Sequence, residues 1–163
     1  MNKIAIIMGS DSDLPKMQGA IDTLHSFGIS CDVNIVSAHR TPEFMQKFAK
    51  KAQAKGLQVI IAGAGGAAHL PGMVASLTTL PVIGVPIQVG KLKGLDALLS
   101  VAQMPKGIPV ATMAVDNSVN AGLLAVRILA LKNKTIQKKL TLFQRNQKQK
   151  VLLANRRVSS LYK

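Results

Sequence analysis

The chain has 163 residues, 48% of them hydrophobic, so it is long enough and apolar enough for a globular domain with a substantial core. Its net charge of +14 is uneven: residues 1–116 hold ten Lys/Arg and seven Asp/Glu, a balance of +3, whereas residues 117–163 hold eleven Lys/Arg and no acid. No stretch reaches the roughly 18 consecutive apolar residues that a membrane span needs, and the N-terminus does not resemble a signal peptide, so we expect neither.

The content of cysteine, histidine and acidic residues bears on compartment and metal binding. Cys31 is the only cysteine, which excludes an intrachain disulfide and is typical of a reducing compartment such as the cytoplasm. The three histidines are scattered and the seven acids are few, so the chain offers no evident set of metal ligands. We therefore expect no metal site.

Short β-like runs alternate with helical patterns along the chain. The runs predicted as strands are residues 3–8, 31–36, 58–63, 81–86 and 108–112. Helical spacing follows the first strand up to Gly28 and the second strand up to Gly56. Residues 121–131 are apolar nearly all round, which predicts a buried helix, and a last helix is predicted from about Thr135 to Asn155.

This alternation predicts an α/β fold, a flavodoxin-like, three-layer, doubly wound parallel sheet with a C-terminal helical extension. We expect residues 1–131 to form the α/β domain and residues 132–163 to form a basic helix that is part of the same domain. In such sheets ligands bind at the carboxyl ends of the strands. The loops that follow the strands are therefore where a functional site is expected.

The first strand ends in Met-Gly-Ser-Asp-Ser-Asp, in which Gly9 permits a tight turn. Ser10, Ser12 and Asp13 are able to cap the helix that follows. The same groups also suit a phosphorylated sugar, because hydroxyls and free amides at a helix N-terminus bind phosphate and a carboxylate accepts hydrogen bonds from sugar hydroxyls.

The second strand ends in Ser-Ala-His-Arg-Thr-Pro, in which Thr41 is the predicted N-cap and Pro42 the first helical residue. Capping leaves His39 and Arg40 unexplained. An arginine at a helix start opposes the helix dipole unless it faces an anion, and a histidine is able to move protons near neutral pH. Either this is a chance surface pair or it is part of a site for an anionic substrate.

The third strand leads into Gly63–Gly72, which formally fits the dinucleotide fingerprint G-x-G-x-x-A. We reject that interpretation because this is the third strand turn and no acid lies between Glu43 and Asp96 to bind a ribose. The run of small residues still indicates close approach of the backbone to a ligand. His69 either caps this loop or contacts a substrate.

The segments 84–88 and 103–109 either line the same pocket or are simple turns. The three strand ends together suit a small phosphorylated ligand and acid–base chemistry without a metal.

Five motifs occur in register: MGSDSD, SAHRTPE, AGAGGAAHLPGM, PVIGVP and SVAQMPKGIPVAT. With them the chain resembles, over about residues 3–131, the class I N5-carboxyaminoimidazole ribonucleotide mutases of purine biosynthesis, also called the catalytic subunit of phosphoribosylaminoimidazole carboxylase. The sister class carboxylates aminoimidazole ribonucleotide with free carbon dioxide, carries lysine after its SAH and lacks the AAHLPG run. Arg40 and the complete run favour the mutase class.

The resemblance implies an isomerase that converts N5-carboxyaminoimidazole ribonucleotide to 4-carboxy-5-aminoimidazole ribonucleotide, by decarboxylation and recarboxylation with His39 as the acid/base. The substrate-binding residues that it implies are Ser10, Ser12, Asp13, Ser37, Arg40, Ala64, Gly65, His69 and Leu70. It places Asp13 on the ribose and Ser37 with Arg40 on the phosphate. It also implies a cytoplasmic homo-octamer that uses no metal or organic cofactor, with the C-terminal helix reaching over a neighbouring subunit.

The chain differs from the common family pattern at three places, one of which is Ala97, where a serine is often found after the aspartate. Many members carry a Gly-Lys-Ala-Gly type loop where this chain reads Val-Asp-Asn-Ser-Val-Asn over residues 115–120, and the strongly basic tail is unusual. The alternatives are the carbon dioxide-dependent carboxylase and, in another class, a nucleic-acid-binding module formed by residues 132–163. The tail has no aromatic stacking platform and no recognised nucleic-acid motif, which favours a solvated or subunit-packing helix.

Overall fold

The computed structural model describes residues 3–162. The strands in this part of the chain are β1 Ile4–Met8, β2 Cys31–Ile35, β3 Val59–Gly65, β4 Val82–Ile87 and β5 Ala111–Thr112. The helices are α1 Leu14–Ser26, α2 Pro42–Ala52, α3 Leu70–Ala75, α4 Leu95–Ala102, α5 Ser118–Ala130 and α6 Lys134–Ser160, and a short 3-10 turn covers Asp11–Asp13. The chain divides into two compact units, one up to Ala125 and one from Val126.

The five strands form one sheet in the order β2-β1-β3-β4-β5, and every neighbouring pair is parallel. In the centre, Ile6 pairs with Val33 of β2 and Ile61 of β3. This order, with helices on both faces, confirms the predicted flavodoxin-like α/β fold. All residues of β1 and β4 are buried, as expected for strands covered on both faces.

The fifth strand is shorter than predicted. It covers two residues, whereas the apolar run suggested residues 108–112. Pro109 has no N–H to donate, and the Ile108 N–H donates instead to the Pro105 carbonyl in a turn, at 3.2 Å. Pairing with β4 therefore begins only at Ala111, which lies opposite Ile83.

Helix α5 begins three residues before the predicted range and buries one side rather than its whole circumference. Ala121, Ala125 and Val126 are fully buried, whereas Arg127 is exposed. Leu131, predicted as the end of this buried helix, lies beyond α5 and is 84% exposed.

Helix α6 runs from Lys134 to Ser160, about one turn past the predicted end, and the Asn133 side chain caps it by accepting from the N–H groups of Thr135 and Ile136. None of its residues is buried. No helix within residues 3–162 has both the length and the apolar character required to cross a membrane. That residues 132–163 belong to the same domain stays a prediction.

Candidate functional site

The loop after β1 is shaped by a reciprocal capping arrangement. The Ser10 hydroxyl accepts from the Ser12 N–H at 3.4 Å, and the Asp13 carboxylate accepts from the Ser10 N–H at 3.1 Å. Pro15 lies in the first turn of α1. These bonds cap the 3-10 turn Asp11–Asp13 that leads into α1, whereas Asp13, at the N-cap position of α1 and 8% exposed, makes no side-chain cap bond to that helix.

The loop after β2 is closed by side chains that bond within it. Thr41 occupies the N-cap position of α2, but its hydroxyl does not cap the helix and instead donates to the Ser37 carbonyl at 3.1 Å. The Ser37 hydroxyl accepts from the backbone N–H of Arg40 at 3.2 Å and from its Nε at 3.3 Å. The prediction that Thr41 is the N-cap residue of α2 and Pro42 its first helical residue is confirmed, but the Thr41 hydroxyl holds the corner that presents His39 and Arg40 instead of bonding to the helix.

Arg40 joins the first two loops. Its Nη2 donates to the Gly9 carbonyl at 2.9 Å, across 31 residues of sequence. Together with the bond to Ser37, this contact holds the guanidinium at the ends of β1 and β2, with other N–H groups left to bind an anion.

The loop after β3 brings small residues and a second histidine to the same edge of the sheet. Gly66 has φ +62° and Ala68 has φ +43°, a backbone conformation that side chains disfavour, so the chain turns sharply here before α3. A Cβ atom on Gly65 would collide with the Val89 side chain. The glycine at position 65 therefore permits close packing against the segment that follows β4.

The loops enclose a cavity of about 450 Å³ at the carboxyl ends of β1, β2 and β3. Nine of the ten predicted site residues line this cavity: Ser10, Asp13, Ser37, His39, Arg40, Ala64, Gly65, His69 and Leu70. The tenth, Ser12, is exposed and does not line it; its backbone N–H instead bonds to Ser10 and Asp11 within the turn.

The two histidines in the cavity contact each other directly. His39 Nε2 lies 2.6 Å from His69 Nδ1, with ring centroids 4.9 Å apart and ring planes at 87°. Two ring nitrogens form such a hydrogen bond only when one of them carries a proton, so one imidazole donates to the other, and the tautomers decide which. His69 occupies the N-cap position of α3 without a side-chain cap bond, and its ring instead contacts His39 and lines the cavity.

The two carboxylates of the first loop have different electrostatic surroundings. Burial raises the pKa of the Asp13 carboxyl, and hydrogen bonds from the backbone of Ser10 and Gly9 and the charge of Arg40 oppose that rise. The pKa of Asp11, which is exposed, is lowered by the hydrogen bond from the Ser10 hydroxyl. Burial thus disfavours the charged form of Asp13, and hydrogen bonds from a polar ligand in the cavity would stabilise it.

Sequence reasoning missed some of the lining residues, namely Gly9, Ala38, Gly66, Ala68 and Val89. Val89 lies one residue beyond the segment 84–88, and neither that segment nor 103–109 contributes a lining residue to this cavity. No group of three or more His, Cys, Asp or Glu within residues 3–162 is placed to hold a metal ion. His25, the third histidine, is exposed on α1.

The cavity combines a guanidinium for an anion, a buried carboxylate for hydroxyl groups, a pair of imidazoles in contact and a floor of small residues. Such a set fits a small anionic substrate on which a proton is moved.

Comparison with known proteins gives consistent matches. The family model described as AIR carboxylase matches residues 3–150. The chain is 60% identical, over 91% of its length and 84% of the relative, to the N5-carboxyaminoimidazole ribonucleotide mutase of Pyrococcus horikoshii. It is 58% identical over 91% of its length to the chloroplastic phosphoribosylaminoimidazole carboxylase of Vigna aconitifolia, of which it spans 27%.

Comparison with solved structures agrees with these sequence matches. The crystal structure of Treponema denticola PurE superposes with a TM-score of 0.84 at 31% identity, covering 91% of this chain and 93% of that one. The family model matches nearly the whole chain and the curated relatives are more than half identical to it, so the chain belongs to the AIR carboxylase family.

Proposed function

We propose that this protein is an N5-carboxyaminoimidazole ribonucleotide mutase, an isomerase of purine biosynthesis that produces 4-carboxy-5-aminoimidazole ribonucleotide. The observation that carries the proposal is the contact between His39 and His69, which lies in the same cavity as Asp13 and Arg40. A mutase of this kind requires an acid/base, a phosphate site and a ribose site within one nucleotide length, and this cavity has a candidate for each.

The nucleotide is placed by the first two loops. Arg40 binds the phosphate with the N–H groups that Gly9 and Ser37 leave free, and the Ser37 hydroxyl contributes its own hydrogen. Asp13 accepts hydrogen bonds from the ribose hydroxyls, with Ser10 and Ser12 beside it. The aminoimidazole then extends toward the loop after β3.

The reaction requires one proton in and one proton out. Cleavage of the carbamate C–N bond releases carbon dioxide and leaves a nitrogen that gains a proton, whereas carboxylation of the ring carbon ends with loss of the proton on that carbon. A single group is able to serve both steps, and His39 is that group in our proposal. The net reaction moves one carboxyl group within a molecule, so it balances without an oxidant, a reductant or a second substrate.

The floor of the cavity suits retention of carbon dioxide between the two steps. Ala64 is 6% exposed and Leu70 is 2% exposed, and Gly65 packs closely against Val89. A small apolar space next to the ring holds the gas near the acceptor carbon and excludes water.

The second candidate is the carboxylase that uses free carbon dioxide, since the relative from Vigna aconitifolia carries a carboxylase name. Purified protein given the carbamate nucleotide without bicarbonate, and aminoimidazole ribonucleotide with bicarbonate, separates the two. The mutase proposal expects turnover of the first mixture. Turnover of the second alone would replace it with the carboxylase.

We also propose a cytoplasmic homo-octamer. Leu95 and Leu99, one turn apart on α4, are 55% and 49% exposed, and Leu92, just before the helix, is 61% exposed, so apolar side chains are exposed at the start of α4. Covering such side chains with another copy is a common solution, and sedimentation analysis at several concentrations measures the copy number. A monomer at all concentrations would contradict the octamer.

A further inference from the structure

The segment between β4 and α4, residues 88–94, forms an exposed strap beside the cavity. Six of its seven residues are exposed, and Gly90, Lys93 and Gly94 all have positive φ, at 63°, 50° and 85°. A segment of this kind has little packing of its own to fix its position. Val89 nevertheless lines the cavity and lies against Gly65, so the shape of the cavity depends on how the strap is held.

Both ends of the strap are held by two consecutive residues of another loop. Asp116 Oδ1 accepts from the Gln88 N–H at 2.9 Å, and the Asp116 N–H donates to the Pro86 carbonyl at 2.9 Å. At the other end, a Cβ atom on Gly94 would come within 2.6 Å of Val115 Cγ1. Val115 and Asp116 thus contact the strap where it begins and where it ends.

Asp116 is itself fixed in place. Its φ of 57° is unusual for a residue with a side chain, and its Oδ2 accepts from Lys16 Nζ at 2.6 Å. The Ser118 hydroxyl, in a residue 2% exposed, donates to the Lys16 carbonyl at 2.6 Å. Lys16, in the first turn of α1, therefore holds the Asp116 side chain in the position where it accepts from the Gln88 N–H.

We propose that Asp116 is a positioning residue of the substrate site, which holds the strap through the Gln88 N–H and so keeps Val89 against Gly65 as a wall of the cavity. Asp116 lies in the segment 115–120, where this chain differs from the common pattern of the family it resembles. As a statement about catalysis the proposal rests on the proposed mutase function, while as a statement about the strap it is independent of any substrate.

The test compares Asp116→Gly, Asp116→Ala, Asp116→Asn and Lys16→Met. Glycine removes the carboxylate at a φ that glycine adopts freely, so its effect contains no backbone strain. Asparagine also tolerates this φ, and its amide oxygen still accepts from the Gln88 N–H, so it is expected to rescue most of the loss. Lys16→Met removes the ion pair alone, and Asp22→Ala, a carboxylate on the surface of α1, is the matched control for charge.

The first readout is amide hydrogen exchange, which requires no substrate. We expect Gln88 and Val89 to exchange about tenfold faster in Asp116→Gly and Asp116→Ala, with Asp116→Asn and Asp22→Ala close to the wild type. Unchanged exchange in the glycine and alanine variants would overturn the anchor.

The second readout is the kinetics of the mutase reaction. We expect KM for the carbamate nucleotide to rise about tenfold in Asp116→Gly, with kcat within about threefold, because the wall is displaced while the imidazole pair stays in place. Faster exchange with an unchanged KM would overturn the positioning role. If the wild type itself turns over no carbamate, the proposed function fails, and the exchange rates still decide whether Asp116 holds the strap.

Discussion

The unit that contains the sheet differs from helix α6 in both charge and burial. All seven acids of the chain lie in residues 1–116, and Ile4, Ile6 and Ile61 of the sheet are completely buried. Helix α6 has no acid and no buried residue, and Val151 and Leu153 are 68% and 60% exposed. Residue identities in the buried strands β1 and β4 are constrained by packing, whereas in α6 the constraint comes from solvent or a partner.

Because of this difference, we expect the reaction to take place in the unit that contains the sheet. Buried parallel strands bring their ends to one edge, so polar residues far apart in sequence meet there with fixed geometry. Residues of an exposed helix are free to change charge without disturbing such a site. Changes at the strand ends should therefore affect the reaction strongly, and changes on the distal part of α6 should affect it little.

The largest effect is expected from His39→Asn. Removing the imidazole that we propose as the acid/base should lower kcat by about 10²–10⁴-fold with little change in nucleotide affinity, because His69 contacts His39 but is not the group that the proposal assigns to the ring carbon. Steady-state kinetics and calorimetric titration of the nucleotide measure both quantities. His25→Asn, on the exposed side of α1, is the control, and near-normal turnover of the His39 variant would remove it from the proton path.

Arg40→Ala should mainly weaken substrate binding. Loss of a charge-assisted hydrogen bond is worth roughly 1.5–3 kcal/mol, so KM should rise by at least about tenfold. Because Arg40 also donates to the Gly9 carbonyl, Arg40→Lys serves as a second variant. Lysine keeps the positive charge but cannot bind the phosphate and the Gly9 carbonyl together. A KM equal to that of the wild type in the alanine variant would show that Arg40 does not touch the phosphate.

Asp13→Asn should separate activity from stability. Since burial raises its pKa above the ordinary 3.8, Asp13 contributes stability that is complete below pH 3.8 and is lost as pH rises through its folded-state pKa. The variant should therefore be more stable than the wild type at neutral pH, and this gain should shrink as the solution is acidified.

The same variant should lose about tenfold in kcat/KM, because an amide accepts hydrogen bonds from the ribose less strongly than a carboxylate. Denaturant unfolding at several pH values, together with kinetics, measures both effects. A stability gain that grows toward low pH would show that the assignment of the pKa shift is wrong.

The smallest effect on the reaction is expected from Lys148→Gln combined with Lys150→Gln on α6. Both residues are exposed, and kcat/KM should stay within about twofold of the wild type. The pair also tests the nucleic-acid alternative: we expect no micromolar binding of duplex or single-stranded DNA at physiological salt. Tight binding with a steep salt dependence that the double variant reduces would instead assign a polyanion to α6.

The success of sequence reasoning differed between local and distant contacts. The fold, the capping by Ser10 and the gathering of three loops could be predicted, because periodicity, cap chemistry and the shared edge of parallel strands are local or general rules. Asp116 lies 28 residues from Gln88 and 100 residues from Lys16 in the sequence. No local sequence pattern predicts that these residues contact one another.

Other details depend on side-chain conformation. Thr41 is the N-cap residue of α2 as predicted, yet its hydroxyl accepts from the Ser37 N–H and donates to the Ser37 carbonyl instead of accepting from the first N–H groups of the helix. The contact between His39 and His69 depends on two side-chain conformations in loops 30 residues apart, which composition and spacing do not specify.

The most direct test of the central claim is a labelling experiment in a single mixture. The carbamate nucleotide is prepared with ¹³C in its carboxyl group and given to the protein in an excess of unlabelled bicarbonate. If the carbon dioxide released in the cavity is the one that carboxylates the ring, the product carries the label. A product whose carboxyl carbon comes from the unlabelled bicarbonate would contradict the mutase and favour a carboxylase that draws carbon dioxide from solution.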